Sequence, residues 1–133
     1  MTRWIYVLAA TTCSALSAPA WGQSPSAEAN PSAIEYASVD AALAALRSKE
    51  GVKFSKNDDW IVASELDGTH WSFAPTHHPA YPAVGRRRLH QQGETFFVVT
   101  NILCQARKPA CDKLRDDYQL LDRRMNEAIR AKK

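Results

Sequence analysis

The first twenty residues constrain this chain most, because they predict what is left to fold and in which compartment. Arg3 is the single early positive charge, an apolar run extends from Trp4 to Ala10 and more weakly through Leu16, and Ala18-Pro19-Ala20 follows. A charged start, a short apolar middle and a small-x-small end are the plan of a secretory signal peptide. The run falls short of the roughly 20 apolar residues that a spanning helix needs. The alternative is a buried helix that opens the domain, and it sits badly with the polar segment behind it. Cleavage is expected after Ala20, with Gly22 as the alternative. A lipid anchor on Cys13 is the weaker reading, because Ala10-Thr11-Thr12 in front of it matches a lipoprotein signal poorly.

Export simplifies the cysteines. Without residues 1–20 the 133-residue chain becomes 113 residues, a size that suits one domain. Cys104 and Cys111 remain, and an even pair in an exported protein reads as a disulfide. It would close an eight-residue loop, which the chain-entropy model values at roughly 2.5 kcal/mol. Six intervening residues fit neither the redox Cys-x-x-Cys spacing nor the usual zinc knuckle. Loss of Arg3 leaves 16 basic residues against 14 acidic ones. That balance is no nucleic-acid footprint, and no later stretch is apolar enough to span a membrane.

The expected organisation is α+β. Residues 21–37 are rich in Ser, Ala, Pro, Gln and Asn and read as a flexible leader. The single domain is placed at 38–133. Ser38 caps a helix whose Val39, Ala42, Leu43 and Leu46 form one apolar face, and Gly51 ends it. Val52 and Phe54 then alternate with polar residues, and Lys56-Asn57-Asp58-Asp59 is turn chemistry. Trp60 to Leu66 and Thr69 to Ala74 read as strands joined at Asp67-Gly68, a strong hairpin signal. With Leu66 opposite Thr69, Trp60, Val62, Trp71 and Phe73 share one face. Pro75 to Pro82 is a loop, since proline denies a sheet its N–H. Val84 to His90 and Thr95 to Cys104 form a second hairpin around Gln91-Gln92-Gly93-Glu94. The last strand is the most apolar and is expected to be central and covered on both faces. A long amphipathic helix over about residues 111–130 closes the chain, with Leu114, Tyr118, Leu121 and Met125 on one stripe. The architecture is an antiparallel sheet of four or five strands flanked by an N-terminal and a C-terminal helix, with one disulfide.

Chemistry-bearing residues are few. His77 and His78 sit in the proline loop, and with His70 or Asp67 they would offer zinc ligands. Adjacent histidines point apart, however, and no helical His-x-x-x-His exists, so no metal and no cofactor is assigned. Arg86-Arg87-Arg88 offers bidentate clamps for an anion. On a strand they alternate faces, so Arg86 and Arg88 would act together, and arginine also protects a sheet edge. The loop from Pro75 to Pro82 is the most distinctive segment. It is stiff and carries His77, His78 and Tyr81, which suits recognition at low entropic cost. No Gly-x-Ser-x-Gly and no free cysteine point to a nucleophile. The pairs Asp58-Asp59 and Asp116-Asp117 read as solvated charge, and no catalytic residue is assigned.

Trp71-Ser72-Phe73-Ala74-Pro75, then His78-Pro79-Ala80-Tyr81-Pro82-Ala83-Val84, then Arg87 or Arg88, resembles a segment of small exported proteins of Gram-negative bacteria. That likeness spans about residues 60–125 and implies export without implying a reaction. Cys104, Cys111, Leu114 and Leu121-Asp122 with the following helix resemble the tail of periplasmic lysozyme-inhibitor-like domains, in which the two cysteines usually lie farther apart. The resulting expectation is a periplasmic or secreted binding or accessory domain that contacts an envelope protein or glycan through His78, Tyr81, Arg86 and Arg88. The alternative is a small hydrolase or metal-dependent enzyme using His77 or His78.

Overall fold

The computed structural model describes residues 34–132. The expected signal peptide, Cys13 and the expected leader through residue 33 lie outside the described residues. Helix α1 spans Val39–Ser48. The Ser38 hydroxyl accepts from the Ala41 N–H at 3.0 Å, so one free donor of the first turn is satisfied. Val39, Ala42 and Leu46 are buried on its inner face. Gly51, at φ +80°, turns the chain out of the helix.

Five antiparallel strands follow in chain order: β1 Lys53–Asn57, β2 Trp60–Ser64, β3 His70–Phe73, β4 Ala83–Gln92 and β5 Thr95–Cys104. Asp58 and Asp59 both take positive φ (46° and 68°) between β1 and β2, as a two-residue primed turn requires. Helix α2, Lys108–Ala131, ends the fold and begins three residues ahead of the sequence expectation. Pro109 sits in its first turn, where a missing N–H costs nothing. The expected disulfide joins Cys104 to Cys111, and so ties the end of β5 to the start of α2.

Two expectations are corrected. The β2–β3 register is one residue off, with Ile61 opposite Phe73 and Ala63 opposite Trp71. The cause is the turn. Gly68 N–H donates to Glu65 O and Glu65 N–H to Thr69 O, with Gly68 at φ +84°. This makes a three-residue loop with a left-handed glycine rather than a two-residue one. A one-residue slip moves every side chain to the other face. Ile61 and Ala63 therefore join Trp71 and Phe73 beneath α1, while Trp60, Val62 and Ser64 face the other way.

The second correction concerns β5, which is an edge strand and not the central one. Its outer backbone groups are satisfied by α2 instead of a sixth strand. Asn126 accepts from Val98 N–H at 2.7 Å and donates to Val98 O at 3.1 Å. Asp122 accepts from Thr100 N–H and from its hydroxyl, each at 2.7 Å. At Val98 and Thr100 the edge therefore offers no template for a further strand.

The sheet carries a core on each face. On one face α1 buries Trp71, Phe73, Ala63 and Val84, with Ile34 and Tyr36 packed alongside. Residues 34–37, the end of the expected leader, thus pack on this core in part. On the other face Leu114 of α2 meets Ala74, Ala80 and Ala83, with Trp60, Ile102 and Tyr118 around them. No helix among the described residues is long and apolar enough to cross a membrane.

Candidate functional site

The proline loop packs on the α2-side core and borders the α1-side one across a cleft. It is fixed by its own backbone: His78 N–H donates to Pro75 O and Tyr81 N–H to His78 O, each at 2.9 Å. Ala74 N–H to Ala83 O and Gln105 N–H to Pro82 O tie its two ends to the sheet. Ala80, 1% exposed, anchors its middle in the α2-side core.

The loop separates its two histidines. His77 lines a cleft of about 340 Å³ together with Asp40, Lys56, Asp59 and Tyr81. The floor is apolar, made by Val39, Leu43, Ile61 and Phe73. His78 turns to the other side and lines a shallower cleft of about 230 Å³ with Trp60, Tyr118 and Leu121. Its ring packs edge-on against Trp60 at 5.1 Å, and its Nδ1 accepts from Ala80 N–H at 3.1 Å. Among the described residues no three His, Cys, Asp or Glu side chains converge in a metal-binding group.

The arginines alternate as a strand demands. Arg86 and Arg88 share the α1 face, and Arg87 faces α2. Arg86 is only 1% exposed. It pairs with Glu35, and its guanidinium lies 5.6 Å from the centre of the Trp71 ring. The paired surface expected of Arg86 and Arg88 is therefore not an open one. Burial of Glu35 would raise its carboxyl pKa, but a backbone hydrogen bond and the Arg86 charge outweigh it and hold the group below its ordinary value. Arg88 is half-buried and acts through its charge on Glu35 and Asp67. Arg87 Nε donates to Thr100 Oγ1 at 3.2 Å and lies 3.5 Å from Asp122. Its guanidinium also sits 5.9 Å from the Tyr118 ring centre. Burial raises the Tyr118 phenol above its ordinary value, against a hydrogen bond from Ser72.

Of the four expected contact residues, the fold keeps Tyr81 at the open cleft, turns His78 to the opposite side, buries Arg86 and leaves Arg88 half-buried on the same face as Arg86. The sequence reading missed two groups. One is the cluster of Trp60, His78 and Tyr118, in which the Trp60 and Tyr118 rings lie 6.5 Å apart. The other is Ser64 Oγ within 2.9 Å of His70 Nδ1. Both depend on the β2–β3 register, which the slip described above had hidden. The Ser64–His70 pair is exposed, and no carboxylate bonds the ring among the described residues, so it lacks the orienting third group of a nucleophilic triad.

No family model, no curated protein and no solved structure matches this chain.

Proposed function

We propose that this chain is a small non-enzymatic binding domain of the bacterial envelope, exported to the periplasm or beyond, whose site is the cleft beneath Tyr81 and His77. The observation that carries the reading is the loop from Pro75 to Pro82. It is held by its own hydrogen bonds and presents Tyr81, 43% exposed, over an apolar floor. A preformed site loses little entropy on binding. Asp40 and Asp59 outnumber Lys56 in the lining, a balance that favours a basic group beside an apolar one. The fitting partner is an envelope protein that presents an apolar side chain next to Lys or Arg. The rival reading, an enzyme using His77 or His78, finds little support, because the two rings serve different clefts and general acid–base work needs converging groups.

The test places a photo-crosslinker at Tyr81 in the oxidised protein, and a second at Leu66 on the opposite end, in envelope extract. We expect one protein captured at Tyr81 and not at Leu66, with capture lost when Asp40→Lys and Asp59→Lys reverse the rim charge. Equal capture at both positions, or capture indifferent to the reversal, overturns the cleft as the site.

A further inference from the structure

The register of β1 to β3 builds a second surface on the face opposite α1, and it does not involve the Tyr81 cleft. Directly opposed residues of an antiparallel pair share a face. Lys53 is opposite Ser64, and Ser64 is opposite His70. These three lie side by side on adjacent strands about 4.8 Å apart. The next row is Ser55, Val62 and Ser72. Trp60 follows along β2, roughly 13 Å from Ser64 at a strand rise of about 3.3 Å per residue. None of these side chains is fully buried.

The charges on this face are not equally committed. Arg87, opposite His70, is held by Thr100 and Asp122. Asp117, at the rim near Trp60, is paired with Lys113. Lys53 makes no ion pair among the described residues. The Ser64 hydroxyl holds His70 Nδ1 at 2.9 Å and so leaves Nε2 directed elsewhere. Lys53, Ser64 and His70 thus frame a place for one anionic group, because an ammonium, a hydroxyl and an imidazole all bind carboxylate or sulfate oxygens. The backbones of β2 and β3 are paired on both sides, so an occupant of their face meets side chains and not peptide groups. A flat strip of hydroxyl, aliphatic and aromatic side chains suits a ligand that is itself a row of hydroxyls on an apolar ring.

We propose that this face binds an acidic oligosaccharide. Its carboxylate or sulfate is held by Lys53, Ser64 and His70, and its sugar rings lie along Val62 and Ser72 toward Trp60. The test titrates isotope-labelled oxidised protein with trigalacturonate and, separately, with the neutral methyl ester. The expected result is amide shifts along 53–64 and 70–72 with the acid form. Lys53→Ala and His70→Ala, both at exposed positions, should each weaken binding by about tenfold. Arg88→Ala, on the other face, should leave it unchanged. Absence of shifts on that strip overturns the proposal, as does equal binding of the methyl ester or equal loss with Arg88→Ala. Duplex DNA bound as tightly as the sugar acid also overturns it, since a general polyanion surface would suffice.

Discussion

At the scale of single residues, Gly85 decides how the second face is built. A Cβ there would lie 2.9 Å from Tyr118 Cζ, 3.1 Å from its hydroxyl and 3.3 Å from Thr100 Cγ2. The glycine lets the aromatic ring lie on the strand, where the Arg87 guanidinium packs over it. Tyr118 and Thr100 must both give way before a methyl group fits there. Gly85→Ala should cost about 1–3 kcal/mol, the usual range for overpacking, read from urea unfolding. The cause is separable by a double-mutant cycle. If the ring is responsible, the cost shrinks sharply in a Tyr118→Ala background. An undiminished cost there would place the strain elsewhere. Tyr118 was legible in the sequence as part of an apolar stripe. Gly85 was not, because a glycine beside three arginines carries no local signal of what crosses above it.

At the scale of elements, the sequence revealed what is local and hid what depends on pairing. The helix capped by Ser38, both clear hairpins and the Cys104–Cys111 link follow from neighbouring residues. The strand order of β5 did not. Its apolar run reads as a buried central strand, but Asp122 and Asn126 of α2 meet its outer backbone groups in place of a partner strand. Only the three-dimensional course of α2 shows that. The β2–β3 register failed for a related reason: Asp67-Gly68 is compatible with a two- or a three-residue loop, and the choice turns the aromatic residues over. That error hid that Trp60, Ser64 and His70 share one face. The disulfide holds the α2 arrangement at its origin. It closes an eight-residue loop, so Cys104→Ser with Cys111→Ser should lower stability by roughly 2.5 kcal/mol, checked by unfolding of the double variant beside the oxidised protein. An effect near zero would show that the packing of Leu114 and Tyr118 fixes the helix start by itself.

At the scale of the whole molecule, the sheet is a meander whose neighbours are neighbours in sequence. Distant parts of the chain are joined by other means. Val39 N–H donates to Gln105 Oε1 at 2.9 Å across 66 positions. Glu35 reaches Arg86 across 51 positions, and Tyr36 lies against Trp71 at 5.7 Å between ring centres. Residues 34–38 therefore act as a strap laid across β3 and β4. The strap has a charge at its centre, which makes its contribution dependent on pH. Glu35 is held below its ordinary value in the fold. For a carboxyl depressed on folding, the stabilisation is present above the unfolded pKa and is lost as pH falls through the folded one. Since Glu35 is 55% exposed, solvent screening limits the pair to about 1 kcal/mol or less. Glu35→Gln should therefore be less stable than the natural chain at pH 7. The two should converge in strongly acid solution, once the carboxyl is protonated in both folded and unfolded states. Urea unfolding of both proteins across that range reads the difference directly. A gap that stays constant with pH would mean that Glu35 works by shape and not by charge, and that Arg86 finds its counter-charge elsewhere.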